Sequence, residues 1–249
     1  MMFRSSMAHP AESTHWYDRE GNPVYEVPAA NGNMRPTTLR DARKLKLVPS
    51  VTTIIRQAAA PGLERWKQLN VLHSALTLPK VEGETEEAYL DRIMADSQEE
   101  GKKAAERGTR IHAALEAEDF SGEFAKHVIA ADDACIEWLG ADQEWINEKS
   151  FAHPLGFGGK CDSFCAAAVL DYKTTEKDLA TIKTWEEHAM QLAAYRHGLG
   201  VMLARCAIVY IHVNGQAKVI EIEEPELEKG WKMFSALMDY WYAKTGLQR

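Results

Sequence analysis

Two acidic residues and a lysine occupy neighbouring short segments in the middle of the chain. The first segment, Gly-Phe-Gly-Gly-Lys-Cys-Asp at 156–162, ends in Asp162, and the second, Val-Leu-Asp-Tyr-Lys-Thr at 169–174, contains Asp171 and Lys173. An Asp-x-Lys triplet alone is expected by chance about once in a chain of this length at ordinary residue usage. Its position relative to the acidic residue of the first segment is therefore what matters.

The two segments are predicted to pair as a β-hairpin, because both are rich in β-forming residues and are separated by a short turn. If strands 156–165 and 168–173 turn at 166–167, residues whose numbers sum to 333 lie opposite one another. Asp162 then faces Asp171, and directly opposed side chains project from the same face with Cβ atoms roughly 4.5–5.5 Å apart. Like charges in that arrangement destabilise a sheet, so a structural role explains the pair poorly.

Lys173 lies two residues beyond Asp171 and therefore emerges on the same face of the sheet. Carboxylate oxygens suit Mg²⁺ or Mn²⁺, which also bind water and phosphate oxygens. Such a cation can acidify a bound water and stabilise the charge that builds on a phosphodiester during in-line displacement. The lysine ammonium can orient the attacking water or stabilise that charge, and partial burial would tune its pKa. This residue set indicates metal-assisted phosphodiester hydrolysis.

Two further groups of residues recur at helical spacing. Gly108, His112 and Glu116 follow one another every four residues, so they line one helical face. His112 could supply a nitrogen ligand, which would favour Mn²⁺, or it could be a hydrogen-bonded core histidine. Gly108 would allow close contact between helix and sheet. Gln191 and Tyr195 share the same spacing after the Asp-x-Lys strand, where an ordinary amphipathic face is the alternative.

Three other residues near the acidic pair have two interpretations each. Gly158 and Gly159 would let a phosphodiester backbone approach closely, or they would form a β-bulge. Glu148, on the strand before them, could be a carboxylate that supports the metal ligands from behind, or an exposed strand residue. The sequence leaves both alternatives open.

The elements that must position these residues are predicted from hydrophobic periodicity and from turn residues. Helices are predicted at 37–45, 51–59, 61–76, 84–118 (as one helix or two), 122–139, 184–199 and 225–244. Strands are predicted at 143–152, 156–165, 168–173, 205–213 and 217–223, the last two joined by Asn-Gly. This order is typical of an α+β protein with a central mixed β-sheet flanked by helices.

The N-terminal part is predicted to be mostly helical. Residues 14–28 indicate a hairpin that turns at 21–23, and 29–36 indicate a loop. Ser50 is the predicted N-cap of the helix that follows it. We expect an N-terminal lobe at 1–80, which could be integral to the core, and a core domain at 81–249.

The composition is that of an ordinary globular protein, with 45% hydrophobic residues and a net charge of −8. That charge argues against broad coating of nucleic acid, although basic residues gather at 40–46 and 102–110. No segment resembles a membrane span or a secretion signal, so a cytoplasmic protein without a membrane partner is expected. The four cysteines, without a CxxC motif, indicate reduced and partly buried thiols.

Taken in order, the motifs resemble the RecB-type branch of the PD-(D/E)xK nuclease superfamily. The match consists of GxxxH, G-G-x-x-D, V-L-D-Y-K-T and QxxxY, and it covers about residues 101–200. The segment 48–55 and the following Trp66-Lys67 are similar to the entry region of phage exonucleases and mitochondrial genome maintenance exonucleases. The resemblance implies a restriction-endonuclease-like core.

The resemblance also implies roles for individual residues. The metal ligands would be His112, Asp162, Asp171 and the carbonyl oxygen of Tyr172. Lys173 would be catalytic together with the two aspartates. Gln191 and Tyr195 would form an auxiliary motif that contacts DNA or braces the lysine. The early glutamate of the family falls on Glu148, with Glu116 as the alternative.

The implied function is that of a metal-dependent DNA exonuclease in recombination, repair or phage DNA processing, in a bacterial cell or a phage-infected host. The expected cofactor is Mg²⁺ or Mn²⁺, and the expected substrate is single-stranded DNA or duplex ends. A single-strand annealing or binding protein could be a partner. No iron–sulfur cluster is expected, because no cysteine follows Cys206. The alternatives are a structure-specific endonuclease of the same fold and a catalytically idle relative that binds DNA or protein.

Overall fold

The computed structural model describes residues 15–249, apart from the side chain of Glu100. The strands within these residues are β1 Trp16–Tyr17, β2 Glu26–Pro28, β3 Met34–Pro36, β4 Val48–Pro49, β5 Ile146–His153, β6 Phe157–Phe164, β7 Ala168–Thr175, β8 Arg205–His212 and β9 Ala217–Ile222. The helices are α1 Leu39–Leu45, α2 Val51–Ile55, α3 Pro61–Thr77, α4 Glu86–Glu116, α5 Ala125–Leu139, α6 Glu186–Leu199 and α7 Glu224–Thr245. None of these helices is long and apolar enough to cross a membrane.

The five long strands form one sheet in the order β5-β6-β7-β8-β9. Neighbouring strands are antiparallel except for β7 and β8, which run parallel. A parallel pair needs a crossover connection, and here α6 makes it. The predicted α+β class, with a mixed sheet flanked by helices, is confirmed.

Each face of the sheet is covered by its own helices. On the side that we call the α6 face, Val169 and Ile208 pack in one cluster with Leu192 of α6 and Phe234 of α7. On the opposite side, the α4 face, strand residues such as Leu170 pack with the end of α4 and with α5. Because side chains alternate along β7, Asp171 and Lys173 belong to the α6 face, and Tyr172 and Thr174 belong to the α4 face.

Helix α6 is buried on nearly all sides because it lies between the sheet and α7. Its residues 189–196 are all buried. A Cβ atom at Gly230 of α7 would lie 2.5 Å from the carbonyl carbon of Ala189, so the two helices can approach closely because this residue is glycine. Arg196 is joined to Glu224 by paired hydrogen bonds of 2.6 and 2.7 Å. The position of α6 is therefore fixed from both sides.

The predicted hairpin over 14–28 is wrong, except for its turn. Residue 14 lies outside the described residues, β1 pairs with β4, and β2 pairs with β3. The turn at 21–23 does form, but only one bridge, between Tyr17 and Pro23, closes it. Two backbone hydrogen bonds flank this bridge, and the segments beyond it pair with β4 and β3 instead. The predicted loop over 29–36 is wrong at its end, which is β3.

The N-terminal residues contribute to the same core as the sheet. Trp16, Val51 and Ile54 are buried in the cluster on the α6 face. The Ser50 hydroxyl accepts a hydrogen bond from the Thr53 backbone N–H at 3.0 Å, which confirms the predicted N-cap. The division of the chain at residue 80 stays a prediction. The four cysteines are buried and unpaired, as expected.

Candidate active site

The candidate site lies where strands β6 and β7 separate. Their ladder contains the pairs Ser163–Leu170 and Phe164–Val169, whose numbers sum to 333 as predicted. The ladder ends at the pair Ser163–Leu170. Asp162 and Asp171 are therefore not paired, and the prediction that they lie directly opposite one another is wrong, because the ladder stops one pair too early. Instead, Oδ2 of Asp162 accepts a hydrogen bond from the Tyr172 backbone N–H at 2.7 Å. The carboxylate of Asp162 thus lies in the gap between the strands.

The alternation of β6 is interrupted at Asp162. Residues two apart in a regular strand share a face, yet Cys161 packs in the cluster on the α6 face, whereas Ser163 lines a cavity on the α4 face with Leu115 and Val128. The neighbouring strand β5 has its irregularity at the same level, where Glu148 has a backbone φ of 54°. Both strands therefore depart from regular alternation at the level of Asp162.

Asp171 is held by partners on both of its carboxylate oxygens. Its side chain is only 2% exposed. Lys173 Nζ lies 2.5 Å from Oδ2, and the Gln191 side-chain amide donates to Oδ1 at 2.7 Å. The same Gln191 nitrogen lies 3.0 Å from the Tyr195 hydroxyl. A buried carboxylate is costly unless it is paired and hydrogen-bonded, and these contacts meet that requirement.

The contacts of Gln191 and Tyr195 correct one expectation. Both residues are buried, at 9% and 4% exposure, and their chain of hydrogen bonds ends on Asp171. Within the part of the chain that the structure describes, their hydrogen bonds support Asp171 and do not reach the ammonium group of Lys173. The helical spacing of four was the signal for this arrangement, since it places both side chains on one face of α6.

His112 approaches Asp162 from the α4 face. Its Nδ1 lies 3.9 Å from Oδ2 of Asp162, and its ring lies edge-on to that of Tyr172, with centroids 6.2 Å apart. Burial lowers the pKa of His112, against an opposing effect from the charge of Asp171, so a neutral imidazole is favoured. A Cβ atom at Gly108 would lie 2.9 Å from Oγ1 of Thr174. The close contact predicted between this helix and the sheet is confirmed.

The carboxyl group of Asp162 is harder to ionise than an exposed one. Burial and the charge of Asp171 raise the pKa of Asp162 to about 7, against the lowering effect of the Tyr172 N–H and of two lysines. Burial alone would lower the pKa of Lys173, but the charge and hydrogen bond of Asp171 outweigh it and raise that pKa. The lysine is therefore a cation, which suits it to stabilise negative charge rather than to accept a proton.

The donor atoms suit a hard divalent cation, although the side chains are not drawn together around one. Among the described residues, no three His, Cys, Asp or Glu side chains are close enough to form a metal-binding group. The ammonium of Lys173 occupies Oδ2 of Asp171 instead. Two carboxylates, an imidazole and a nearby backbone carbonyl are the ligand types that Mg²⁺ and Mn²⁺ bind. A cation would also offset the burial and the charge of Asp171 that raise the pKa of Asp162.

No protein-family model matches the chain, and no curated protein matches its sequence. Among solved structures, the chain is similar to the alkaline exonuclease LHK-Exo from Laribacter hongkongensis, with 16% identity and a TM-score of 0.39 over 74% of this chain and 94% of that chain. LHK-Exo in complex with dAMP matches with 15% identity and a TM-score of 0.40, over 71% and 88% of the two chains. TM-scores this low do not establish a common fold.

Glu148 lies one strand away from the acidic pair and contacts a residue that the sequence did not single out. Its carboxylate forms an ion pair with Lys160 of β6. Lys160 stands two residues before Asp162, within the glycine-rich segment. Its signal in the sequence was this spacing, since residues two apart share a face in a regular strand.

The two glycines before Lys160 make room for the protein's own side chains. Gly158 and Gly159 are buried, and a Cβ atom would lie 2.8 Å from Tyr17 at Gly158 and 2.9 Å from Phe151 at Gly159. The approach of a phosphodiester backbone at these glycines is therefore excluded. A bulge is excluded too, since both residues pair in regular register with Ala152 and Phe151.

Proposed function

We propose that the chain is a metal-dependent deoxyribonuclease that degrades DNA from its ends. The observation that carries this proposal is the buried carboxylate of Asp171, bound by Lys173, together with the second carboxylate of Asp162, which accepts a hydrogen bond from the backbone N–H of Tyr172. Such a costly group of charges has no evident structural use. It suits a site that binds a divalent cation and a phosphodiester.

The cation would be held by Asp162, Asp171, His112 and the Tyr172 carbonyl. When bound, a cation of this kind supplies Lewis acidity, which polarises a phosphodiester and acidifies a water molecule. The burial of Asp171 excludes bulk water from that carboxylate, and low polarity strengthens its interaction with positive charge. The lowered pKa of His112 keeps its imidazole nitrogen available as a ligand near neutral pH.

Lys173 would act on the substrate directly. Its raised pKa keeps it protonated, so its ammonium can donate to a phosphate oxygen and stabilise the negative charge that develops as water attacks. Its side chain is 36% exposed, so a substrate can reach it. Gln191 and Tyr195 would act as positioning residues, because they orient Asp171 without being exposed themselves.

The experiment that tests this proposal compares end-labelled linear duplex, single-stranded and closed circular DNA, each with Mg²⁺, with Mn²⁺ and with EDTA. We expect degradation of linear DNA with either metal, resistance of closed circles, and no cleavage in EDTA. Asp171→Asn and Lys173→Met should both abolish cleavage. Equal cutting of circles would instead identify a structure-specific endonuclease. DNA binding without cleavage in any metal would identify a catalytically idle relative.

The same fold and charge pattern are compatible with a role in recombination, repair or phage DNA processing. The substrate preference found in the assay on linear, single-stranded and circular DNA helps to distinguish these roles. A preference for single strands or resected ends would support a partner that anneals or covers single-stranded DNA.

A further inference from the structure

A second charged pair beside the site has no part in the mechanism proposed above. Lys160 of β6 and Glu148 of β5 form an ion pair. The side chain of Lys160 is 41% exposed and that of Glu148 is 18% exposed. The more accessible partner of the pair is thus the cation.

Lys160 is close enough to the candidate metal ligands to influence them. Burial is the main influence on the pKa values of Asp162 and His112, and the positive charge of Lys160 lowers both. Lys173, the other ammonium group at the site, is engaged by the buried Asp171. Lys160 therefore offers a positive charge near the acidic pair that is not committed to a metal ligand.

The carboxylate partner of Lys160 has an unusual backbone. Glu148 lies between the pairs Asn147–Ser163 and Lys149–Cys161, and hence across from Asp162. Its φ of 54° falls in the left-handed region, which is uncommon for a residue other than glycine. Such conformations persist where the surrounding structure requires them, and often at functional sites. Here the departure from a regular strand coincides with the contact between Glu148 and Lys160.

We propose that Lys160 binds a phosphate of the substrate strand next to the phosphodiester that is cleaved, and that Glu148 holds its ammonium group only until a phosphate replaces that carboxylate. This inference rests on the proposed nuclease function. The acidic pair repels a phosphate backbone, so a cation beside it is needed to bring the strand close. A phosphate can compete with Glu148 for the ammonium group of Lys160, because that side chain is 41% exposed and has a single carboxylate partner. Lysine commonly binds phosphate, as a point charge.

The test measures binding of a single-stranded oligonucleotide in EDTA, where no cleavage occurs, as a function of salt. Lys160→Met keeps the aliphatic stem and removes the charge. We expect it to weaken binding about five- to tenfold at low salt and to reduce the slope of log K against log salt by about 0.7. Lys160→Arg should restore the wild-type slope.

Lys149→Met is the matched control. Lys149 is exposed on β5, one strand away, and the substitution changes the net charge of the protein equally. We expect its binding constant to stay within about twofold of wild type. Glu148→Gln should leave the salt slope unchanged and tighten binding slightly, because Lys160 no longer has an internal competitor. A weakening by Glu148→Gln as large as that of Lys160→Met would contradict competition.

Two failures are distinguishable. If wild-type protein cleaves DNA with Mg²⁺ and Lys160→Met matches Lys149→Met in affinity and salt slope, the inference about Lys160 is overturned and the nuclease proposal stands. If wild-type protein neither binds nor cleaves DNA under any condition, the nuclease proposal itself is overturned. The unfolding midpoint of each variant shows whether a loss of binding reflects a loss of structure.

Discussion

The side-chain amide of Gln191 donates a hydrogen bond of 2.7 Å to Oδ1 of Asp171. Because α6 is enclosed by the sheet and α7, its glutamine reaches the aspartate from inside the protein. The other carboxylate oxygen of Asp171, Oδ2, is also buried and pairs with Lys173. The rotamer of the aspartate is therefore set from behind, before any ligand or substrate approaches from the open side.

Gln191→Leu should lower cleavage without removing any group that touches substrate. The substitution leaves Oδ1 of Asp171 without its donor, and loss of a hydrogen bond behind a metal ligand typically costs 10–100-fold in metal affinity or activity. We expect about that loss in kcat with Mg²⁺, and little change in KM for DNA. Tyr195→Phe removes only the hydroxyl that Gln191 also contacts and should have a smaller effect. Full activity of Gln191→Leu would show that the hydrogen bond from Gln191 is not needed to orient Asp171.

Lys173→Met should make the stability of the protein depend on divalent cations. The variant leaves the buried carboxylate of Asp171 without its counter-ion, which we expect to cost about 1–3 kcal/mol, since the lysine is partly exposed. A bound cation replaces that positive charge. In urea unfolding, added Mg²⁺ should therefore stabilise the variant more than wild type.

The matched control for this measurement is Lys177→Met, at an exposed lysine four residues further along. It should show the same response to Mg²⁺ as wild type. If Mg²⁺ stabilises Lys173→Met no more than it stabilises wild type, the cation does not take the place of Lys173 beside Asp171. The variant should also be inactive in cleavage, by a factor of at least about 10².

In metal-free protein, the contribution of Asp162 to stability should fall as the pH rises from about 4 to about 7. Burial and the charge of Asp171 raise the pKa of Asp162 from 3.8 to about 7 on folding, so the native state binds more protons than the unfolded state within that window. The contribution of Asp162 therefore falls with rising pH, by about 1.4 kcal/mol for each unit that separates the two pKa values. Thermal unfolding in EDTA across the window measures this slope.

Asp162→Asn is the control, because it cannot titrate. Its stability should not contain the fall that Asp162 contributes over the same window, and the difference between the two curves isolates Asp162. Cleavage by wild type should rise with pH towards 7, since the ionised carboxylate is the ligand form, and more Mg²⁺ should move the midpoint to lower pH. If the stability of wild type and of Asp162→Asn depends on pH in the same way, Asp162 is not the titrating group.

The spacing of the motifs was sufficient to predict the register of the hairpin and the class of the fold. Positions summing to 333 do pair, because a period of two and a short turn leave few alternatives. The end of that ladder at Ser163 could not be predicted, because it depends on the Asp162 carboxylate taking the Tyr172 N–H. A side chain that replaces a backbone acceptor leaves no periodic signal.

The N-terminal strands and the glycines show a second limit. Strands of two or three residues such as β1 carry too little pattern to identify their partners, and β1 pairs with a strand 31 residues or more away. Gly158 was correctly singled out as a place of close approach, but the approaching group is Tyr17. Sequence spacing indicates that space is needed and does not indicate what fills it.

His112→Ala should change which metal the protein prefers. An imidazole nitrogen favours Mn²⁺ relative to an all-oxygen site, and the neutral ring lies 3.9 Å from Asp162. We expect calorimetric titration to show a loss of affinity for Mn²⁺ of about tenfold or more, with a smaller loss for Mg²⁺. His197→Ala, at a partly buried histidine stacked on Trp231, should leave both affinities unchanged. Equal losses for the two metals would argue against direct ligation by His112.

Gly108→Ala should stabilise the protein only when Thr174 is shortened. Alanine in place of glycine inside a helix normally adds about 1 kcal/mol of stability, but a Cβ atom here would lie 2.9 Å from Oγ1 of Thr174. The gain is therefore offset by displacement of α4 from β7, which also moves His112. In the Thr174→Ala background that clash is absent, so Gly108→Ala should recover its gain.

A double-mutant cycle of unfolding free energies measures this coupling. We expect an interaction between the two substitutions of about 1 kcal/mol, above the roughly 0.3–0.5 kcal/mol scatter of independent sites. Gly101→Ala is the matched control on the same helix, because its Cβ would meet only the Trp66 ring at 3.4 Å, an ordinary contact. It should be stabilising in either background. Additive effects of the Gly108 and Thr174 substitutions would show that α4 does not need a glycine to lie close to β7, and that the position of His112 depends on other contacts.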